Sequence, residues 1–112
     1  MHELGLCEAI VDSIEQHAGA RRVSAVRVRV GRLLHVHPEA FDQSFALAAA
    51  GSVAEDARAE LVILPAGGHC RSCGANFESP DDWLVACSEC GSVDVELTGG
   101  TELILESIEY RG

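Results

Sequence analysis

Residues 67–100 read GGHCRSCGANFESPDDWLVACSECGSVDVELTGG, a stretch that one pair of glycines opens and another pair closes. Within it Cys70, Cys73, Cys87 and Cys90 follow the pattern C-x2-C-x13-C-x2-C. Each CxxC pair can fold into a tight knuckle holding one edge of a tetrahedron, and the loop between them brings both edges around a d10 ion. Gly74 and Gly91 follow the second cysteine of each pair, where a knuckle often needs positive φ. The spacing predicts zinc (Zn2+) bound by four thiolates, with a redox dithiol or an iron site as the alternatives. Four thiolates leave no open coordination position, so the ion is expected to be structural: a segment too small for a core folds around its metal. Phe77 and Trp83 are expected to pack inside this unit. The acidic ESPDD beside them repels phosphate, which argues against a base-stacking platform. His69 is expected to be an exposed neighbour of the first knuckle, the alternative being an imidazole that replaces a thiolate when acid or a competing metal ion perturbs the site.

The sequence on either side has a different character. Leu4, Cys7, Ile10, Val11 and Ile14 recur at helical spacing, with Glu8, Asp12 and Glu15 between them, and predict an amphipathic helix over about 4–18 that Gly19 ends. His17 lies near its C-terminus and is expected at the surface, capping the helix. Cys7 is expected to be a small core residue. In VSAVRVRVGRLL the residues Val26, Val28 and Val30 alternate with Arg27 and Arg29, the pattern of a half-buried strand. HPEAFDQSFALAAAG predicts a second helix with Pro38 in its first turn, Phe41, Phe45 and Ala48 on one side, and an end near Gly51. Ser52 and Glu55 stand at capping-box spacing and predict one further helical turn. ELVILP, stopped by Pro65, and ELILESIEY near the end of the chain predict two more strands.

The strand after the cysteine segment is expected to return to the sheet made by the earlier ones. The fold class is therefore α+β: two helices packed on a three-stranded sheet, with a small zinc-ribbon-like unit inserted before the last strand. The main domain would comprise residues 1–65 plus 101–112, and the insert residues 66–100.

The chain has 112 residues, enough for one domain with a small satellite. Eighteen acidic residues against eight arginines, with no lysine, give a net charge of −10. Such a chain is repelled by nucleic-acid backbones and anionic lipid, so nucleic-acid and membrane partners are not expected. No segment is apolar for long enough to span a bilayer, and Glu3, Glu8 and Asp12 interrupt anything resembling a signal peptide. Paired CxxC units in an otherwise disulfide-poor chain point to a reducing, cytoplasmic setting.

The chain opens Met1-His2-Glu3 directly before the first helix. Methionine aminopeptidase generally spares Met1 before a residue as large as His2, so the terminal amine is expected to stay in place. That amine, the His2 backbone nitrogen and the His2 imidazole can close five- and six-membered chelate rings. Ni(II) and Cu(II) favour such nitrogen-rich tetragonal sets, and Glu3 can add a carboxylate or its own backbone nitrogen. Taken alone, an early histidine is more often an idle surface residue.

The MHE opening, PEAF at the second helix, LTGGTELILESIE near the end and the two CxxCG units together resemble the HypA/HybF family of hydrogenase nickel-incorporation proteins. The resemblance runs in order along essentially the whole chain. It implies a nickel metallochaperone that is not an enzyme: Ni2+ is cargo bound by Met1, His2 and Glu3, and Zn2+ is held by Cys70, Cys73, Cys87 and Cys90. It implies partnership with a HypB-type GTPase, delivery to the [NiFe]-hydrogenase large subunit, and in some organisms service to urease maturation. The chain itself shows no nucleophile–base pair and no Gly-rich phosphate loop, so any GTP hydrolysis belongs to the partner. A cation at a helix N-terminus is disfavoured by about 0.3–1 kcal/mol, which suits a carrier that must release its ion. The competing reading is a zinc-ribbon protein–protein adaptor with an idle His2, and a third is thiol–disulfide exchange at the CxxC pairs.

One position departs from the family's pattern. Where an acidic residue often precedes the Pro-Glu-Ala, this chain has His37, which Pro38 places at the N-cap of the second helix. The plain reading is a solvated cap residue. The sharper one is an additional imidazole for nickel.

Overall fold

Two helices and a three-stranded sheet form the first of two units in the computed structural model, which describes residues 3–79 and 86–112. This unit gathers Met1–Arg29, Val36–Val62 and Leu103–Gly112. Its first helix, α1, spans Glu3–Ala18 and buries Leu6, Cys7, Ile10, Val11, Ile14 and Ala18. Glu8, Asp12 and Glu15 stay exposed. Leu4, expected on the apolar face, is 43% exposed, and Leu6 is buried instead. Leu4 sits at the edge of the stripe in the first turn, whereas Leu6, Ile10, Ile14 and Ala18 line up at i, i+4 spacing over three turns. The helix ends as expected: Gly19 takes φ 61, and its N–H bonds the Glu15 carbonyl at 3.0 Å. The exposed His17 ring bonds the Ser13 carbonyl one turn back, at 2.7 Å.

Strand β1 covers Val23–Gly31. Val26, Val28 and Val30 are buried with Val23 and Ala25, while Arg27 reaches outward to Glu60 at 3.1 Å and Glu106 at 3.4 Å. These partners lie on β2 (Arg58–Leu64) and β6 (Leu103–Tyr110), which flank β1 in the sheet order β2-β1-β6. The bridges are exposed to water and screened, so they add little stability. The Arg111 N–H bonds the Arg22 carbonyl and the Ser24 hydroxyl bonds the Glu109 carbonyl, so β1 and β6 run antiparallel.

Helix α2 spans Pro38–Ala49 with His37 as its N-cap, and it buries Phe41, Phe45 and Ala49. Ala49 rather than the expected Ala48 continues the i, i+4 row of the phenylalanines. No helical turn follows at Ser52–Glu55. The Glu55 carboxylate accepts the Gly51 N–H at 3.1 Å, and the Ser52 hydroxyl accepts the Ala54 N–H at 3.0 Å. These side chains tie a turn instead, because Asp56 moves to φ 65 and β2 begins two residues later.

The second unit comprises Val30–His35 and Ile63–Glu102. Its sheet has the order β4-β3-β5, from β3 (Ala66–Cys70), β4 (Asn76–Ser79) and β5 (Val95–Gly99), with both neighbours antiparallel to β3. The two glycine pairs that bracket the cysteines meet here, Gly67 opposite Gly99. Residues 30–35 join this unit by backbone hydrogen bonds: the Gly31 N–H to the Glu102 carbonyl and the Leu33 N–H to the Gly100 carbonyl, each 2.8 Å. A Cβ on Gly31 would lie 2.0 Å from the Gly100 carbonyl carbon, so only glycine permits the approach.

Candidate metal centres

The four cysteines converge from two knuckles of the same build. In the first, the Gly74 N–H bonds the Cys70 carbonyl at 2.9 Å and the Cys70 N–H bonds the Ala75 carbonyl at 2.9 Å. In the second, the Gly91 N–H bonds the Cys87 carbonyl at 2.9 Å and the Cys87 N–H bonds the Ser92 carbonyl at 2.8 Å. Gly74 and Gly91 each take φ 78, the left-handed conformation expected from the CxxCG pattern. Backbone donors also point at sulfur: the Cys73 N–H at Cys70 Sγ, 3.4 Å, and the Glu89 N–H at Cys87 Sγ, 3.3 Å.

All four Sγ atoms lie within 4.8 Å of one another. Cys70 Sγ is 3.6 Å from Cys90 Sγ, and Cys73 Sγ is 3.7 Å from Cys87 Sγ. A tetrahedron with metal–sulfur bonds of about 2.3 Å has edges of about 3.8 Å, so the cluster has the dimensions of a tetrathiolate site. The Cys73 N–H holds the Cys70 thiol down to about 6 against the opposing effect of burial, favouring the thiolate a metal requires. Cys70 and Cys87 are buried, Cys73 and Cys90 exposed. Outside the sulfurs, Arg71 pairs with Asp94 at 3.0 Å and Ser72 with Ser92 at 2.9 Å, bracing one knuckle against the other. No spacing in the sequence marks these braces, because each pair is brought together only by the folded knuckles.

His69 is held elsewhere. It faces Asn76 across β3 and β4, with its Nδ1 2.8 Å from Asn76 Oδ1. Strand alternation sends its side chain to the opposite face from Cys70. Phe77 is half-buried on β4; Trp83 lies outside the described residues. Cys7 contrasts with the cluster. It is fully buried, its Sγ donates to the Phe41 carbonyl at 3.6 Å, and burial, with the charges of Glu3 and Asp42, pushes its thiol up to about 12. It is a neutral core residue.

The other candidate residues are at the start of α1. Met1 and His2 lie outside the described residues. Glu3, the first residue of α1, is half-buried, and its Oε2 accepts the backbone N–H of His37 at 3.1 Å. His37 has φ −87 and ψ 123, the extended conformation of an N-cap, with Pro38 at the first helical position. Its side chain is exposed and makes no capping hydrogen bond.

Residues 1–110 match the family model described as hydrogenase/urease nickel incorporation, metallochaperone, HypA. The chain is 36% identical over 114 residues to hydrogenase maturation factor HypA of Desulfitobacterium hafniense, covering 99% of each. It is 37% identical over 112 residues to hydrogenase maturation factor HypA of Rhodopseudomonas palustris, covering 97% of this chain and 98% of that one. Its structure resembles the solution structure of the Ni metallochaperone HypA from Helicobacter pylori with a TM-score of 0.73 at 26% identity, covering 98% of this chain and 97% of that one.

Proposed function

Since the chain belongs to the HypA family of hydrogenase and urease nickel-incorporation metallochaperones, we propose that it carries Ni(II) on Met1, His2 and Glu3 and passes it, with a HypB-type GTPase, to the large subunit of a maturing [NiFe]-hydrogenase. The observation that carries this reading is a match spanning residues 1–110, which takes in the amino-terminal MHE and both CxxCG knuckles together. The four clustered sulfurs of Cys70, Cys73, Cys87 and Cys90 support its zinc half.

In this reading zinc is the resident ion of Cys70, Cys73, Cys87 and Cys90. It supplies no catalysis there; it cross-links two knuckles in a unit with few apolar residues. Nickel is cargo. The Met1 amine, the His2 amide and the His2 imidazole offer three nitrogens in fused chelate rings, a set suited to a d8 ion. Glu3 completes or steadies that set, and its bond to the His37 N–H ties the amino end to the start of α2. A chelate at a chain terminus is open to a partner that must strip the ion. Thiolates of this kind persist in a reducing compartment, which supports a cytoplasmic setting for the work; the same delivery chemistry serves urease maturation where that enzyme is made.

The test uses protein with no residue before Met1. Its zinc content is measured, and Ni(II) is titrated by calorimetry into the parent and into His2→Ala. The reading expects bound zinc, a nickel site in the parent, and loss of that site in the variant. Zinc without any nickel uptake would instead indicate an adaptor. Zinc-free, reversibly oxidised dithiols would indicate an oxidoreductase.

A further inference from the structure

We propose that Arg71, Ser72, Ser92 and Asp94 form a clasp that sets how slowly the four-cysteine site gives up its metal. They are positioning residues: they ligate nothing and keep the two knuckles together independently of the ion. This rests on zinc as the resident ion of Cys70, Cys73, Cys87 and Cys90, proposed above, and adds what retains it.

The sulfurs are arranged so that release requires the knuckles to part. Cys70 and Cys73 belong to the first knuckle, Cys87 and Cys90 to the second. The short sulfur–sulfur distances cross from one to the other, 3.6 Å between Cys70 and Cys90 and 3.7 Å between Cys73 and Cys87. Each knuckle is closed by its own backbone bonds, the Gly74 N–H to the Cys70 carbonyl and the Gly91 N–H to the Cys87 carbonyl, both 2.9 Å. Two intact knuckles moving apart is therefore an easier route than the unwinding of either. Any bond between them opposes that motion.

Such bonds continue the ladder of β3 and β5. The strands run antiparallel, with His69 opposite Glu96 and Cys70 opposite Val95. Arg71 and Asp94 follow in the same register: the Arg71 N–H bonds the Asp94 carbonyl at 3.0 Å, and the Arg71 guanidinium reaches Asp94 Oδ1 at 3.0 Å. Ser72 Oγ then lies 2.9 Å from Ser92 Oγ. Ser92 is the centre of the clasp. Its hydroxyl also accepts the Asp94 N–H at 3.1 Å, and its carbonyl accepts the Cys87 N–H at 2.8 Å. Arg71 and Ser72 are the two residues between the cysteines of the first knuckle, so the clasp grips that knuckle between its own ligands.

Each contact alone is modest. The Arg71 and Asp94 side chains are 54% and 58% exposed, so water screens their attraction. Opposite charges across a strand pair shift an equilibrium by about fivefold at most. Joined to a backbone bond and a pair of hydroxyls, they act together at the step where the knuckles separate, and outer-shell partners of this kind govern how firmly a metal is held.

Full-length, zinc-loaded parent is compared with Ser92→Ala, with Arg71→Asp, and with the exchanged pair Arg71→Asp plus Asp94→Arg. The readouts are zinc content, the rate at which zinc passes to excess pyridylazoresorcinol, and the ligand-field bands of the Co(II)-substituted proteins. Ser92→Ala loses two hydrogen bonds and should release zinc at least about fivefold faster. Arg71→Asp sets like charges opposite each other and should release it at least about threefold faster. The exchanged pair restores attraction at the parent's net charge and should return to within about twofold of the parent rate. Co(II) bands should stay tetrahedral throughout, because no ligand is touched. Parent-like rates in both Ser92→Ala and Arg71→Asp would overturn the clasp and leave the zinc site standing. An exchanged pair as fast as Arg71→Asp would overturn it too, since charge beside the thiolates would then explain the effect. Altered Co(II) bands in Ser92→Ala would do the same, because the serine would then shape the ligand set. A parent that carries no zinc would overturn the resident-ion reading and this inference with it.

Discussion

Glu3 and His37, 34 residues apart, meet where the carboxylate of the first accepts the backbone N–H of the second at 3.1 Å. The bond joins the first residue of α1 to the N-cap of α2. It satisfies a donor that helix α2 leaves unpaired at its start and sets a negative charge against the positive end of the helix. It also ties the first turn of α1 to the start of α2.

Cys73→Ser removes one of four ligands and should release zinc. The amide spectrum should then lose dispersion for residues 30–35 and 63–102 and keep it for residues 1–29, 36–62 and 103–112, because the chain divides at those positions. Zinc analysis together with a nitrogen-edited NMR spectrum checks it. Equal collapse of all residues would contradict two separable units.

Gly31→Ala places a methyl group 2.0 Å from the Gly100 carbonyl carbon, a backbone atom that cannot rotate away. A cost of about 1–3 kcal/mol or more is expected in urea unfolding. Gly5→Ala is the matched comparison. It meets nothing within 4 Å and lies in α1, so it should stabilise by about 0.5–1 kcal/mol. Similar effects from the two would show that Gly31 and Gly100 do not approach as described.

Several of these features were legible in the residues themselves. Cysteine spacing is a strong signal because it encodes a coordination geometry, and alternating Val26, Val28 and Val30 encode a strand because side chains alternate across a sheet. The helix ends at Gly19 and Pro38 carried their own backbone restrictions. The sheet of β3, β4 and β5 was not legible. AGGHC has no β-branched residue and no alternation; the knuckles and the meeting of Gly67 with Gly99 order it. Nor did any local pattern attach residues 30–35 to the cysteine unit, since backbone bonds to Gly100 and Glu102 do so. Ser52 and Glu55 had the spacing of a helix start, but Asp56 at φ 65 and the nearby strand took their side chains for a turn. At the candidate nickel site the ligand types were visible, while the bond between Glu3 and His37 came only from packing α1 against α2.

The Cys7 thiol gives the fold an alkaline limit. Burial, with Glu3 and Asp42 nearby, raises it from 9.0 to about 12. Between those values the unfolded chain releases this proton and the folded chain keeps it, so stability is complete below pH 9 and falls as pH rises toward about 12. Cys7→Ala removes the linkage. Urea midpoints measured at intervals through that range should fall less steeply in the variant than in the parent. The same burial predicts that, in the zinc-loaded protein, Cys7 resists alkylation until the fold opens. Parallel slopes and rapid labelling would place the thiol at the surface.

The most direct measurement of the terminal nickel site is a Ni(II) titration of two proteins differing by a single glycine placed before Met1. The added residue moves the terminal amine out of the chelate and leaves every side chain of the chain in place. Nickel affinity should fall by more than about tenfold, with zinc content and helical circular dichroism unchanged. Equal affinity in the extended and native proteins would contradict the account, because the amine would then not be a ligand.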